Sequence, residues 1–430
     1  MSRPIEKYDP KETLAIWEDK PPRPADGGWQ TYPCKLVTPL YGGGVRAGEV
    51  DQEMPIRATA IRGQLRFWWR VACGHGEPSA QLFKRETAIW GGIAEAGPSA
   101  SKVRVQIRNV GVLDLAAAHN YVPNHKKPGE LRSMPDLAPW ADGYALFSAQ
   151  GKLAQNRQIV EEHPKVLAKS GTAFDLALNL SAKLTDGQRA EVLTALRWWA
   201  SFGGIGARTR RGLGAIKVKD LDPVTEGEVA ACGGQLVVRA PVAGATEAWK
   251  EAVGRLKDFR QKVGVGRNPP APGTASPAGR SLWPEADTIR SLSGSAAARH
   301  AARVVRVDAF PRAAFGLPII FHFKDANAGD PTDHVLEPAD PSPNEKRDRL
   351  ASPLVLRPYW NGAKWQAAAL LVPGWKSHLS ERLKFKDQRY VPPAWPSSPP
   401  ERNALARAIR PMSGRGHDAL SAFLAYFAEP

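Results

Sequence analysis

The chain has 430 residues, and its 59 Lys and Arg against 43 Asp and Glu give a net charge of +16. That length is long for one core, so two domains are expected, and the charge points to a polyanionic partner, either nucleic acid or an acidic membrane surface. No run of 18 apolar residues occurs and the first ten residues are polar, which excludes membrane insertion and makes the cytoplasm the expected location.

Taken in order, residues 1–30 read as a lead-in with a short helix near 11–18. Residues 35–40 alternate as a short strand, which Gly42, Gly43 and Gly44 then break, where the backbone can turn sharply or approach another segment closely. From Ala58 the period becomes helical. Ile61, Leu65, Trp68 and Ala72 recur at i, i+4, i+7 and i+11, a stripe that faces a core. Beside it run Arg62, Arg66 and Arg70, four residues apart. Like charges so spaced repel one another along a helix, so this stripe either faces a polyanion or pairs with acids elsewhere in the fold. Residues 78–100 are mixed, with a tight turn expected at Trp90-Gly91-Gly92. Residues 102–112 alternate Val103, Val105 and Ile107 with Lys102, Arg104, Gln106 and Arg108, a half-buried strand with a basic outer face. Residues 120–147 have little period and read as a loop insertion. A strand at 172–180 follows, then a helix at 186–201 with Asp186 as its cap, a glycine-rich loop, and a strand at 215–218. Strand, helix, strand, strand, helix, strand is the ferredoxin-like order that RNA-recognition domains also use.

A second unit is expected from residue 234, dividing the chain into 1–233 and 234–430. It offers a strand at 235–238, an amphipathic helix at 247–263, a buried strand within 314–323, and a hairpin within 351–372 around Asn361-Gly362. Helices at 403–409 and 417–428 close it, and residues 264–280 and 326–344 read as long loops.

The glycine-rich loop is the sharpest candidate site. Between Gly203 and Lys219 lie Arg208, Arg210, Arg211, Lys217 and Lys219, with no acid. It is not a Walker loop, because no Gly-Lys-Ser/Thr ends it. Nor is it a dinucleotide fingerprint, because Thr209 stands where the third glycine belongs and a helix precedes it. Arginines suit bidentate phosphate contacts, and Gly204 and Gly206 let backbone N–H groups reach phosphate oxygens. The bland alternative is a mobile basic turn. Asp51, flanked by Glu49 and Glu53, is the acid nearest a basic site. It has the chemistry to deprotonate a ribose 2′-OH or hold a metal ion, or simply to pair with Arg57. Nothing else in the sequence completes a mechanism, so an enzyme is not expected. The nine histidines form no HxH or HxxxH pair, and Cys34, Cys73 and Cys232 are scattered and odd in number. No metal ligand, cofactor or disulfide framework is therefore expected. Phe67-Trp68-Trp69 and Trp198-Trp199 read mostly as core, since base stacking needs an exposed ring.

With these residues in view, the chain resembles the RAMP superfamily of CRISPR proteins, and within it the first RAMP subunit of the type III-B (Cmr) effector complex. TPLYGGGVRAGEVDQEMPIRATAIRGQLRFWWR is similar to that subunit's signature, and FGGIGARTRRGLG to the superfamily's glycine-rich loop. FPRAAFGLPIIFHF with RLASPLVLRP resembles the second half. The resemblance implies an α+β chain of two ferredoxin-like (RRM-like) βαββαβ domains with long loop insertions. It implies a non-catalytic subunit of an antiviral ribonucleoprotein, touching guide RNA near its 3′ end and the paired target RNA, with other RAMP subunits as neighbours. Carried over, the RNA-contacting positions are Arg57, Arg62 and Arg66 in the first block and Arg208, Arg210 and Arg211 in the loop. Related subunits that cut RNA use an aspartate after the first strand, and Asp51 lies in a comparable stretch. A ribonuclease using Asp51 and a protein-only capping subunit are the two alternatives.

Overall fold

The computed structural model describes residues 28–94, 97–136, 138–270, 272, 279–342, 344–389 and 391–430. The helix expected at 11–18 lies outside the described residues. The first half begins with strand β1 (Gln30–Leu36), followed by helices α1 (Ala58–Cys73) and α2 (Ser79–Trp90) and strand β2 (Val103–Arg108). It continues with β3 (Ala173–Leu180), α3 (Asp186–Phe202) and β4 (Ile216–Val218), and a short helix, Glu226–Ala231, closes it. The four strands form one sheet in the order β4-β1-β3-β2, with every neighbour antiparallel.

Period-two alternation decides which face is buried. Cys34, Leu36, Phe174, Leu176, Leu178, Val103 and Ile216 point under α1 and α3, while Lys35, Gln106 and Arg108 point outward. On α1 the apolar stripe buries Ile61, Leu65 and Trp68, and Trp69 is buried beside it, its indole donating to Glu191 Oε2 at 2.8 Å. Thr185, not Asp186, caps α3: its hydroxyl accepts from the Gln188 N–H, and Gln188 returns a bond to the Thr185 N–H.

Two departures from the sequence expectation have clear causes. The first strand ends at Leu36 rather than Leu40. Beyond it Pro39 has no N–H to donate, and the Thr38 hydroxyl leaves the ladder to donate to Gly212 O at 2.6 Å. Helix α2 was hidden in a segment without a simple apolar stripe, because its buried face carries Glu86 and Thr87 beside Ile89 and Trp90. The turn after it is where expected, with Gly91 at φ +72°.

The second half contributes β5 (Gln235–Val242), helix α4 (Ala245–Gln261), and the hairpin β6 (Leu354–Trp360) and β7 (Trp365–Leu371). Asn361 makes the turn, its side-chain oxygen accepting the N–H groups of Ala363 and Lys364. This sheet has the order β5-β7-β6, again antiparallel, and among the described residues it has three strands. A separate small sheet pairs Ile319–Phe321, His334–Pro338 and Leu383–Phe385. Helices Glu285–Ser293, Pro399–Ala408 and Ala419–Ala428 complete the half. The architecture is thus mixed α and β on antiparallel sheets. Residues 120–147 are more ordered than a loop, since His119–Pro123 pairs with Leu131–Pro135 in a hairpin.

One core runs across residue 234. Leu36, Leu65, Trp68, Leu196 and Trp199 share it with Val355, Tyr359, Ala368 and Leu370 of the hairpin. Phe202 and Tyr359 stack with ring centroids 6.0 Å apart, and the Tyr359 hydroxyl donates to Val224 O at 2.9 Å. Each such large side chain contributes roughly 1.5–3 kcal/mol when buried, so the two halves hold each other.

Candidate nucleic-acid interface

The two glycine-rich stretches, 160 residues apart in sequence, lie against each other. Gly214 N–H donates to Pro39 O at 2.8 Å and Ala207 N–H to Tyr41 O at 2.7 Å. The Thr38 hydroxyl bridges the pair, donating to Gly212 O and accepting the Ala215 N–H at 2.8 Å. The contact leaves no room for side chains. Gly206 sits at φ +76°, and a Cβ there would lie 2.5 Å from Leu40 Cδ1 and 2.7 Å from Tyr41 O. A Cβ on Gly204 would meet Gly214 O at 2.8 Å. At Gly204 and Gly206 the glycines therefore serve close packing of backbone on backbone.

The three loop arginines divide by position. Arg210 donates to Ser352 O at 2.5 Å and lies over the Phe67 ring, and burial pushes its pKa down. Arg211 donates to Leu354 O at 3.3 Å, and burial, then the neighbouring Arg260, pushes its pKa down to about 10. Both side chains thus bind carbonyls of the second half rather than reach into solvent. Arg208 is different. It stands in the left-handed conformation at φ +59°, exposed, its guanidinium with no hydrogen bond or ion pair among the described residues. It is the loop cation held out to solvent. Arg46, three residues after Gly43, is exposed and unpaired in the same sense.

Sequence reasoning did not single out Arg357, in the middle of β6. It is 2% exposed, with no carboxylate partner, and donates to Gly203 O at 2.5 Å, Ile216 O at 3.0 Å and Pro358 O at 2.9 Å. Burial pushes its pKa down to about 9. An arginine inside the apolar strand LVLRPYW was the available signal.

The arginine stripe of α1 faces α2. Arg66 Nε donates to Glu86 Oε1 at 2.7 Å, and Arg70 binds both Glu86 oxygens at 2.7–2.8 Å, with the Glu86 side chain 2% exposed. Arg62 donates to the last carbonyl of α2, Trp90 O, and burial, then Arg66, pushes its pKa down. One carboxylate against two guanidinium groups leaves this seam positive, with Arg66 and Arg70 31% and 46% exposed. Arg57 pairs with Asp51 at 2.5 Å. Asp51 also accepts the N–H groups of Glu53 and Met54, and the Met54 N–H and then Arg57 hold its carboxyl below the usual range. The aspartate is thus a turn former tied to the start of α1, in the arrangement of the pairing alternative.

Elsewhere, one group of described residues has metal-ligand spacing: His300, Asp325 and Asp330, with ligand atoms within 4.8 Å of one another. Asp330 already takes two bonds from Arg290 at 3.0 Å, one from His300 at 2.7 Å and the Ala297 N–H, and Asp325 pairs with Arg299. Protein cations thus already match these carboxylates.

The family model of the RAMP superfamily matches residues 33–217, which spans β1 to β4 and both glycine-rich stretches. Residues 33–217 are thus similar to a RAMP superfamily domain. No match is found among curated proteins. Among solved structures, the chain is similar to Cmr1 from Pyrococcus furiosus, apo form, at 14% identity and a TM-score of 0.39, covering 80% of this chain and 88% of that one. It is also similar to a chain of the type III-B Cmr-beta complex bound to cognate target RNA, at 10% identity and a TM-score of 0.37, covering 89% and 98%. Likeness at this level carries no argument about activity. No helix among the described residues is long and apolar enough to cross a membrane.

Proposed function

We propose that the chain is a non-catalytic RNA-binding subunit of a type III-B CRISPR effector complex. In this reading it holds guide RNA near its 3′ end, and the paired target RNA, beside other RAMP subunits in the cytoplasm. It would do so on two ferredoxin-like units, 1–233 and 234–430, the first with strand order β4-β1-β3-β2 and the second with a three-stranded sheet of order β5-β7-β6 beside the small sheet at 319–385. The observation that carries the reading is Arg208: an unpaired, exposed guanidinium at the rim of two glycine-rich segments packed backbone to backbone, inside the RAMP-like domain and on a chain of net charge +16. Such a cation suits sugar-phosphate contact that ignores sequence, as a variable guide requires. Arg210 and Arg211 act in this reading by fixing the loop, and Arg57, Arg62 and Arg66 by adding to the positive field along α1.

The test is binding of the purified protein to labelled single-stranded RNA and to a guide–target duplex between 50 and 300 mM salt, with and without Mg²⁺. Affinity should fall steeply with salt through counterion release, Arg208→Ala should weaken it several-fold, and the RNA should stay intact. Equal binding at both salts overturns the reading. Cutting abolished by Asp51→Asn makes the protein a ribonuclease. Assembly with neighbouring subunits that survives Arg208→Ala, with no RNA binding by the wild type, makes it a protein-only cap.

A further inference from the structure

Lys35 on β1 and Lys217 on β4 are direct register partners on the outward face of the first sheet. Like charges directly opposite on antiparallel strands repel, and neither lysine has an ion pair with an acid among the described residues. The Lys217 ammonium lies 3.4 Å from the centroid of the Trp360 ring and 5.9 Å from that of Trp365. The tryptophans flank the hairpin turn and are only half-buried. Burial pushes the Lys217 pKa down, while Asp220 at the strand end pulls the other way. Two facing cations and an aromatic edge thus meet in one place.

That place is a cleft between the halves. Lys35, Lys217, Gly171, Thr246 and Trp365 line about 950 Å³ of empty space open to solvent. Gly171 has no atom within 4 Å of a Cβ position, so that wall is open backbone. Glu247, one residue beyond Thr246, turns its carboxylate back to the Ala243 N–H. The cleft floor therefore carries two positive charges, and one wall an indole.

We infer that this cleft seats an unpaired stretch of RNA, a phosphate lying between Lys35 and Lys217 and a base stacked on Trp365. The inference rests on the RNA-binding reading and places a second contact away from Arg208. A phosphate between the lysines removes their repulsion, and cation–π contact with Trp360 keeps Lys217 oriented when the cleft is vacant. A single strand fits because stacking on Trp365 needs a base free of its own neighbours. A duplex presents backbone alone.

The experiment uses the full chain with an oligouridine containing 5-iodouridine, cross-linked by light and mapped by mass spectrometry, alongside a salt titration. Cross-links should fall on the peptide carrying Trp360 and Trp365. Trp365→Ala should weaken binding about tenfold. Lys35→Gln with Lys217→Gln should lower the slope of log K against log salt by about 0.7 per lysine, and Lys217→Arg should restore its share. Lys35 is exposed and its side chain has no hydrogen bond or ion pair among the described residues, so Lys35→Gln alone keeps the test open if the double variant folds poorly. If Arg208→Ala weakens binding while the cleft variants bind as wild type and cross-links fall elsewhere, the cleft inference is wrong and the RNA-binding reading stands. If wild type binds no RNA, both are wrong. Equal competition by an acidic peptide and by RNA would also overturn the inference, since it would assign the cleft to protein.

Discussion

Arg357 reaches from the second half to donate to Gly203 O at 2.5 Å, fixing the point where α3 gives way to the glycine-rich loop. The same guanidinium holds Ile216 O at 3.0 Å, where the loop becomes β4. One buried cation thus pins both ends of the loop that presents Arg208. Removing it orphans three carbonyls, each costing about 1–3 kcal/mol if left unpaired. Arg357→Met should therefore lower unfolding free energy by at least 3 kcal/mol, measured by urea denaturation, and Arg357→Lys should recover only part because an ammonium cannot span the same acceptors.

Gly206→Ala should destabilise the protein by about 1–3 kcal/mol, from a strained φ and a Cβ 2.5 Å from Leu40 Cδ1. Gly63→Ala is the contrasting substitution. Gly63 lies within α1 with nothing within 4 Å of a Cβ position, so alanine there should raise stability by about 0.5–1 kcal/mol. Thermal melts of the two variants should shift in opposite directions.

Glu86→Gln should cost about 1.5–3 kcal/mol, because it replaces the charge-assisted bonds from the partly exposed Arg66 and Arg70 with bonds to a buried neutral amide. If the stripe serves chiefly to dock α2, Arg66→Gln will lower the melting temperature more than it weakens RNA binding. Chemical denaturation and a binding isotherm on the same preparation separate the two effects.

His378 gives a pH dependence. Burial, then the positive charges of Arg210 and Arg347, pushes its pKa down to about 4, against about 6.5 in an unfolded chain. Between those values the unfolded chain binds the proton and the folded one does not, so stability falls as pH drops from 6.5 towards 4 and is unaffected above it. Allowing for solvent screening, the loss should be about 1 kcal/mol at pH 5. His378→Gln should flatten that part of the profile in melts taken from pH 7.5 to 4.5.

The fold was readable where the period was clean. Residues 172–180, the helix from Ala58 and the Asn361-Gly362 hairpin all lie close to where alternation and turn chemistry put them. The helix Ser79–Trp90 was not readable, because it docks by burying Glu86 against arginines rather than by an apolar stripe. At the candidate site, the glycines and Arg208 were visible as a basic, glycine-rich turn. The inward roles of Arg210 and Arg211 were not, since their acceptors, Ser352 O and Leu354 O, lie over 140 residues away. Local sequence gives residue type and spacing, whereas which cation finds an internal acceptor depends on a chain segment far downstream.

The shared core and the Arg357 latch also set an order of events during synthesis. Emerging from the ribosome, residues 28–218 can pair all four strands of the first sheet, yet the acceptors for Arg210 and Arg211 and the donor for Gly203 O arrive only with residues 352–357. For the time needed to translate that interval the nascent chain carries an unlatched basic loop, and Trp199 and Phe202 lack the hairpin that packs beside them. A chain released at residue 233 is stranded at that stage, open to aggregation or to any polyanion nearby.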